Sequence, residues 1–204
     1  MEEVAQDNPK PIAPDVVAYN LFLQDFYPLL GQTARWQGFN YIVTDLLRRP
    51  APIIVETGTL RQPGNWAGDG QSTRVWDWLA RKHAALVLSC DINFEYCQTA
   101  AKLCPAVEVI CADSITFLRG YLPPTISLLY LDAFDYTPGV EISSMMHHAG
   151  ELAAVWDRLP KGALIAIDDC HSDNNGKHAL VKQMLKCFGT APELESYIHV
   201  WRKP

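Results

Sequence analysis

The fold class of this 204-residue chain is decided by the stretch Ile53-Ile54-Val55-Glu56-Thr57-Gly58-Thr59. Its apolar run, which Pro52 opens and Gly58 closes, is typical of a strand buried on both faces of a sheet. Glu56 follows at the carboxyl end of that strand, which is where open α/β sheets bind their ligands. The stretch therefore predicts the first strand of an α/β domain and marks one sheet edge as its functional edge.

Strand and helix patterns alternate from this stretch onward, and the further strand-like runs each lead into an acidic residue. This alternation predicts a doubly wound, mostly parallel sheet with right-handed crossovers. Residues 197–201 alternate like a half-exposed strand, which we expect to be antiparallel at a sheet edge. The predicted strands are Leu86 to Asp91, Val107 to Asp113, Ile126 to Asp132, and Ala163 to Ile167 before Asp168-Asp169. The predicted helices between and after them cover about Ser72–Lys82, Phe94–Leu103, Glu141–Leu159 and Lys177–Phe188.

The chain is predicted to be one structural domain in which residues 1–50 form an N-terminal arm and a helical cap. Residues 51–204 would form a Rossmann-like unit that binds a cofactor and carries the catalytic edge. Residues 1–14 are polar and rich in proline, which predicts an extended arm. Asp15 is expected to cap a helix ending at Leu30, and a second helix is expected over Thr33–Leu47. The predicted apolar face of the first helix consists of Val16, Tyr19, Leu23, Phe26 and Leu30.

The composition limits the partners that we expect. A hydrophobic fraction of 49% and a charged fraction of 20% are ordinary for a soluble globular protein. The formal net charge of -6 disfavours nucleic acid, which normally requires a basic face. The acidic start Met1-Glu2-Glu3 and the lack of a long apolar stretch predict neither a signal peptide nor a membrane span. We expect a cytoplasmic protein with reduced cysteines, and a homodimer remains open.

The loop between Gly58 and Gly70 is rich in glycine, which lets a backbone approach a ligand closely. It contains neither the G-x-G-x-x-G of dinucleotide-binding proteins nor a P-loop. Asp91 ends the second strand, where a carboxylate can accept both hydrogen bonds of a ribose diol. Asp113-Ser114, after the third strand, is suited to the amino edge of adenine. One such acid alone would be read as a loop cap, but acids at three successive strand ends indicate a site for a nucleoside cofactor.

In these features the chain resembles the class I S-adenosylmethionine-dependent methyltransferases over roughly residues 50–190. Val55-Glu56-Thr57-Gly58 looks like the first motif of that family, Asp91 like its ribose-binding acid and Asp113 like its adenine-side acid. The loop is longer than in the family, with Arg61 to Trp66 inserted. The insertion leaves open which of Thr59, Gly70, Gln71 and Ser72 contact the methionine part. It also leaves open whether the insertion forms a lid, with Trp66 over the cofactor. The resemblance implies S-adenosylmethionine as cofactor, bound by Glu56, Gly58, Thr59, Gly70, Ser72, Asp91, Asp113, Ser114 and Asp132.

Three carboxylates are predicted to meet at the catalytic edge, because Asp132 ends the fourth strand and Asp168-Asp169 follow the fifth. Crowded carboxylates repel one another unless they are protonated or bridged by a cation. An all-oxygen ligand set suits Mg²⁺, with Mn²⁺ or Ca²⁺ as alternatives. The arrangement is similar to that of metal-dependent O-methyltransferases of the catechol type and those acting on sugars of natural products. Two candidates for the general base, Asp135 and His171, follow these acids closely.

The leading hypothesis is an S-adenosylmethionine-dependent O-methyltransferase that acts on a small hydroxylated acceptor with help from a divalent cation. The acceptor would be a sugar, a catechol-like compound or a natural product. One alternative is a Rossmann-like oxidoreductase that uses a nicotinamide cofactor, although the missing G-x-G-x-x-G counts against it. Another is a binding protein that keeps the fold without turnover, because fold alone does not assign function.

Overall fold

The computed structural model describes residues 15–69, 71–120, 122–172 and 174–204. The predicted arm over residues 1–14 and the predicted ligand-binding residue Gly70 lie outside these ranges. Within them, the strands are β1 (Ile53–Thr57), β2 (Leu86–Asp91), β3 (Glu108–Cys111), β4 (Leu128–Leu131), β5 (Leu164–Ile167), β6 (Cys170–Ser172), β7 (Asn175–Gly176) and β8 (His199–Arg202). The α-helices are α1 (Val16–Leu30), α2 (Trp36–Leu46), α3 (Ser72–His83), α4 (Phe94–Leu103), α5 (Ser114–Arg119), α6 (Glu141–Val155) and α7 (Ala179–Cys187).

Six strands form the main sheet in the order β3-β2-β1-β4-β5-β8. The first five are parallel, and β8 pairs antiparallel with β5 at the edge, as the alternating pattern of residues 197–201 predicted. The strand order changes direction between β1 and β4, and a crevice opens beyond the carboxyl ends of the strands at such a point. The doubly wound, mostly parallel sheet is therefore confirmed.

Alternating side chains along the central strands divide the hydrophobic core into one half on each face of the sheet. Ile54 of β1 and Tyr130 of β4 pack in the half that α1, α2, α3 and α4 cover. Their neighbours Val55 and Leu129 pack in the other half, against α5, α6 and α7. Because both faces are covered, the strands read as continuous apolar runs instead of alternating ones.

The N-terminal helices form the predicted cap on one face of the sheet. Asp15 accepts hydrogen bonds from the backbone N–H groups of Val17 and Ala18 at 3.1 and 3.0 Å, which confirms its predicted capping role. The buried face of α1 differs from the predicted one, since Val16 is exposed and Phe22 is fully buried. The strict four-residue spacing places Ala18, Phe22, Phe26 and Leu30 inward.

Several element boundaries differ from the sequence prediction: α2 begins at Trp36 instead of Thr33, and α6 ends at Val155 instead of Leu159. The helix α3 has no side-chain cap, because the preceding Gln71 is left-handed, with φ 55°, and the Ser72 hydroxyl bonds to Glu56 instead. The helix α5 and the hairpin of β6 with β7 were not predicted, because six-residue and two-residue elements carry too few positions to show a period. No helix in the described part of the chain has the length and apolar character needed to cross a membrane.

The cysteines are free thiols, as predicted, although the core location holds for only some of them. Cys111 and Cys187 are exposed, because each lies at the last position of its strand or helix. The other four are buried: Cys90, Cys97, Cys104 and Cys170.

Gly58 makes the turn from β1 into the functional edge. Its φ is +81°, and a Cβ at this position would overlap the backbone carbonyl group of Asp132, lying 2.7 Å from its carbon. Gly64 has nearly the same φ, +79°, but a Cβ there would meet open space. Both glycines therefore satisfy a left-handed backbone, but only Gly58 also permits the close approach of the loop to the end of β4.

We expect Gly58→Ala to lower the free energy of unfolding by about 3 kcal/mol, since it adds a steric overlap to the cost of a left-handed alanine. Gly64→Ala is the matched control, and it should cost only about 1 kcal/mol because it carries the backbone term alone. Denaturant titration of the two variants measures the difference. Equal losses would show that the contact between Gly58 and Asp132 does not constrain the edge.

Candidate active site

A groove runs along the carboxyl ends of β1, β2 and β4. One half lies between the loop after β1 and the start of α3, and the other lies between α5 and the loop after β4. The halves adjoin at Asp91, Ile92 and Ala133, which line both. The groove brings together most of the predicted cofactor residues, namely Gly58, Thr59, Ser72, Asp91, Asp113, Ser114 and Asp132.

Glu56 lies behind the groove instead of lining it. Its side chain is fully buried and accepts four hydrogen bonds, two on each carboxylate oxygen. The donors are the hydroxyls of Ser72 at 2.6 Å, Thr73 at 2.8 Å and Ser89 at 2.5 Å and the indole of Trp76 at 2.8 Å. Glu56 thus acts as a positioning residue for the start of α3, and its predicted contribution to cofactor binding is indirect.

Burial raises the pKa of Glu56 to about 7, although its four donors favour the ionised form. Thr73 extends the network into the groove, because its hydroxyl accepts a hydrogen bond from the N–H of Leu60 at 3.0 Å. The path from Leu60 through Thr73 to Glu56 fixes the first turn of the loop. A buried network of this kind gives the loop one conformation only while its members stay satisfied.

Asp91 occupies the middle of the groove, where its two carboxylate oxygens are held by different loops. The N–H of Thr59 donates to one oxygen at 3.1 Å, and the N–H of Asn93 donates to the other at 2.8 Å. Each carboxylate oxygen can accept more than one hydrogen bond. Asp91 is therefore oriented by the backbone and can still accept hydrogen bonds from two neighbouring hydroxyls of a ligand.

The second half of the groove combines a polar edge with apolar walls. Asp113 caps α5 by accepting hydrogen bonds from the N–H and hydroxyl of Thr116, both at 2.8 Å, and these bonds lower the pKa of its carboxyl. Ser114 lies 2.9 Å from the Nε2 atom of His147. Ile92 and Phe134 supply the walls. A flat heterocycle with a polar edge fits these surroundings.

The loop after β1 closes the other end of the groove through ion pairs. Arg61 contacts Asp69 with Nε at 2.9 Å and Asp135 with Nη1 at 2.9 Å. Trp66 packs edge-on against Phe26 of α1, 5.9 Å between ring centroids, so it anchors the loop to the cap instead of covering the groove. The lid over the cofactor that the sequence left open is therefore not formed by Trp66, because its ring packs against the core.

The three predicted catalytic-edge acids do converge, and they do so around two buried cations. The Nζ atom of Lys177 bridges the Asp132 carboxylate and Asp169, the second contact measuring 2.8 Å. The Arg35 guanidinium bridges the other pair, with Nε 2.7 Å from Asp168 and Nη2 2.9 Å from Asp169. Lys177, Arg35 and Asp168 are all buried.

Hydrogen bonds complete this cluster. The hydroxyl of Tyr130 donates to Asp168 at 3.0 Å, and that of Tyr197 donates to Asp169 at 2.7 Å. Burial opposes the ionisation of Asp169, but Lys177 and Arg35 outweigh it and lower its pKa to about 2. Asp169 also has a left-handed backbone, with φ 54°, which costs energy for any residue other than glycine. The cluster holds it there.

The predicted divalent cation does not fit the three carboxylates in this arrangement. The Lys177 ammonium occupies the position between Asp132 and Asp169 that a bridging metal would take. Asp168 gives one oxygen to Arg35 and Tyr130, and the other oxygen accepts the Asp169 N–H at 2.8 Å. The positive charge that the acids require comes from the protein itself.

The two predicted candidates for the base lie at different places. Asp135 lines the groove and is 56% exposed, paired with Arg61. His171 lies outside the groove in a shallow surface pocket, with its ring 5.8 Å from that of Tyr136 and 5.4 Å from that of Tyr197. The geometry therefore favours Asp135 over His171 for a proton transfer in the groove.

Arg35 and Lys177 are the site residues that the sequence prediction missed. The only signal for them was the demand of three crowded acids for positive charge. The need for positive charge does not identify which of the 17 lysines and arginines supplies it. Arg35 comes from the cap, and Lys177 comes from the segment between β7 and α7, both far in sequence from Asp132.

The stability of the protein should fall as the pH rises from 5 to 7, because the folded-state pKa of Glu56 is raised above its unfolded value. The protonated carboxyl is favoured in the folded state, and that contribution is lost as pH approaches the folded pKa. We expect a loss of about 2 kcal/mol over this range that is missing in Glu56→Gln. Denaturant titration at several pH values compares the slopes of the two proteins. Parallel curves would mean that Glu56 is ionised throughout.

Titration calorimetry with Mg²⁺ tests the assignment of Lys177. The wild-type protein should show no saturable binding of Mg²⁺, since the ammonium already lies between Asp132 and Asp169. Lys177→Met frees both carboxylates and should gain Mg²⁺ binding, with circular dichroism as the folding control. Binding of one Mg²⁺ by the wild type that Asp169→Asn removes would contradict the assignment.

Comparisons with known proteins place the fold among methyltransferases. No family model and no curated protein sequence matches the chain. The solved structures that match include MycE, a methyltransferase from the mycinamycin biosynthetic pathway in complex with Mg, SAH and mycinamycin VI, at 14% identity and a TM-score of 0.61. That match covers 95% of this chain and 54% of MycE, so the chain spans about half of the length of MycE.

Two further solved structures extend the comparison. CalS11, a TDP-rhamnose 3'-O-methyltransferase of calicheamicin biosynthesis, matches at 15% identity and a TM-score of 0.62, covering 96% of this chain and 88% of CalS11. A protein from Clostridium thermocellum, named provisionally as an rRNA methylase, matches at 13% identity and a TM-score of 0.55, covering 85% of this chain and 98% of that protein. The chain therefore has the Rossmann-like fold that S-adenosylmethionine-dependent methyltransferases share.

Proposed function

We propose that this protein is an S-adenosylmethionine-dependent methyltransferase that transfers the methyl group to a hydroxyl of a small acceptor. The observation that carries the proposal is the single groove that passes the Gly58 turn, Asp91 and the Asp113-Ser114 edge in that order. In the proposed complex, the Gly58 turn would bind the methionine part of the cofactor, Asp91 the ribose and the Asp113-Ser114 edge the adenine.

The ribose and adenine parts have the better-defined partners. Asp91 would accept hydrogen bonds from the ribose diol, because the N–H groups of Thr59 and Asn93 already fix its orientation. The adenine ring would lie between the apolar side chains of Ile92 and Phe134 with its amino edge toward Asp113. A nicotinamide dinucleotide is less suitable, since the loop lacks the glycine pattern that receives its pyrophosphate.

The methionine part would lie beside the turn formed by Gly58 and Thr59. It carries an ammonium, a sulfonium and a carboxylate, so its net charge is positive. The groove there is lined by Asp69, which pairs with Arg61, by Asp132, which pairs with Lys177, and by Asp91 and Asp135. Opposite charges in a partly desolvated groove attract more strongly than in water. The acidic lining thus supports a cationic cofactor over an anionic one.

Methyl transfer needs an acceptor oxygen in line with the bond from sulfur to the methyl carbon. As the new bond between that oxygen and carbon forms, the old bond breaks and its electrons return to sulfur, which becomes a neutral thioether. The hydroxyl proton must pass to a base, and Asp135, which lines the groove beside Arg61, is its proposed acceptor. Arg61 would hold that carboxylate in place through its 2.9 Å contact.

Lys177 would contribute to this edge without touching the substrate, because its side chain is fully buried. It orients Asp132 and compensates its charge, a task that a divalent cation performs in metal-dependent O-methyltransferases. We therefore propose a reaction that does not require added metal. MycE was solved with Mg and SAH, whereas we propose that Lys177 supplies the positive charge beside Asp132 in this protein.

A small acceptor is supported over a nucleic acid by the electrostatics of the chain. Its formal net charge is -6, and the acids Asp69, Asp91, Asp132 and Asp135 line the groove around Arg61. A phosphate backbone would be repelled there, and nucleic-acid binding normally depends on a basic face.

Calorimetric titration with S-adenosylhomocysteine tests the cofactor assignment, with NADH as the parallel ligand. We expect S-adenosylhomocysteine to bind and NADH to give no response. Asp91→Ala should weaken binding by about 1–3 kcal/mol, because it removes the acceptor of the ribose hydrogen bonds. The affinity of Asp91→Asn for S-adenosylhomocysteine should lie between those of the wild type and Asp91→Ala, since the amide keeps one acceptor oxygen.

Asp157→Ala is the control for loss of one negative charge, because Asp157 is exposed and distant in sequence from the groove residues. It should bind S-adenosylhomocysteine like the wild type. A response to NADH alone would replace the proposal with the oxidoreductase alternative. Silence with both ligands would favour a binding protein without turnover.

A further inference from the structure

A second cluster of reactive side chains lies on the far side of the acidic edge, and it belongs to no part of the groove. Cys170, His178 and His199 are all buried, and the candidate ligand atoms of the three side chains lie within 4.8 Å of one another. Cys170 begins β6, His178 immediately precedes α7, and His199 begins β8. Three separate elements therefore bring one sulfur and two imidazoles to one point.

We propose that Cys170, His178 and His199 bind a zinc ion. Thiolate and imidazole are the ligands that Zn²⁺ prefers, at about 2.3 Å from sulfur and about 2.0–2.1 Å from nitrogen. Tetrahedral geometry at these lengths separates the ligand atoms by about 3.3–3.6 Å. Since the candidate ligand atoms lie within 4.8 Å of one another, an inward movement of each side chain by at most about 1 Å brings them to these separations. Binding converts the thiol of Cys170 to a thiolate and releases its proton to solvent.

The surroundings provide an entry path and a fourth position. A shallow surface pocket reaches both Cys170 and His199, and its outer rim carries His171, Glu195 and Tyr197. Solvent in this pocket would supply the fourth ligand. The ring centroids of His178 and His199 are 4.1 Å apart, so the two imidazoles are in contact beside Cys170.

The proposed ion would stabilise the catalytic edge, since each ligand adjoins a residue that this edge depends on. Cys170 follows Asp169 in sequence, and His178 follows Lys177. His199 pairs with Ile167 across β5 and β8. One zinc ion would thus fix the relative positions of Asp169 and Lys177. The inference concerns metal binding alone and holds whether or not the protein transfers a methyl group.

Metal analysis of the full chain tests the proposal. The purified protein is stripped with a chelator, mixed with excess Zn²⁺ and desalted, and its zinc content is measured by mass spectrometry. We expect one zinc per chain, lost in Cys170→Ser and in His199→Gln. Cys104→Ser, which also places a hydroxyl at a buried cysteine outside the cluster, should retain the zinc.

Cobalt substitution identifies the ligands independently of zinc content. The wild-type protein with Co²⁺ should show a charge-transfer absorption from a thiolate, and removal of the exposed Cys111 and Cys187 together should leave that absorption unchanged. This measurement also decides the case in which the Cys170 or His199 variants do not fold. Its absence in the wild type would overturn the proposal.

A variant of the acidic edge separates the two places where a metal could bind. Asp169→Asn should keep its zinc and its thiolate absorption, because Asp169 is not a ligand of the proposed ion. Zinc that is lost in Asp169→Asn and kept in Cys170→Ser would locate the metal at the carboxylates and overturn the proposal. Less than one-tenth of an equivalent of zinc in the reconstituted wild type would also overturn it.

Discussion

The compensation of three carboxylates by two buried cations is the constraint on which the rest of the structure depends. Asp132, Asp168 and Asp169 meet because β4 and β5 are neighbouring parallel strands that end at the same edge of the sheet. Two cations balance this negative charge: Arg35, which precedes the three acids in the sequence, and Lys177, which follows them. Removing one partner of such a buried pair commonly costs about 3–5 kcal/mol, since the other is left uncompensated. Because Arg35 balances the charge of Asp168 and Asp169, the N-terminal cap that carries it is part of the acidic edge.

A second buried network determines how the groove is shaped at its other end. Glu56 holds the beginning of α3 through Ser72 and Thr73, while Gly58 lets the chain turn against the carbonyl group of Asp132. The two networks therefore meet at the end of β4. The order of the groove from turn to Asp91 to Asp113 follows from the strand order, because β1, β2 and β3 are neighbours in the sheet. Sheet topology thus sets the order in which the parts of an extended ligand would lie along the groove.

Much of this architecture could be predicted from the sequence, for an identifiable reason. The central strands are apolar on both faces, so their runs and terminal acids stand out, and Asp91, Asp113 and Asp132 were placed correctly at one edge. The features that could not be predicted depend on contacts between distant segments of the chain. Glu56 follows the same apolar run, yet it points behind the groove because hydroxyls of α3 and β2 surround it. Neither the partners of Asp168 nor the inward turn of Trp66 leaves a local pattern, since each is decided by packing against the cap.

A lysine in place of a metal changes what the proposed enzyme must do to orient its acceptor. A divalent cation can chelate two neighbouring hydroxyls and so fix both the position and the rotation of a diol. The Lys177 ammonium is buried behind Asp132 and cannot reach a substrate. Orientation must then come from groups that line the groove, and the contacts of Arg61 with Asp69 and Asp135 place an ion-pair network in that lining. In the proposed enzyme, the loop after β1 would therefore supply the recognition of the acceptor that a metal would otherwise provide.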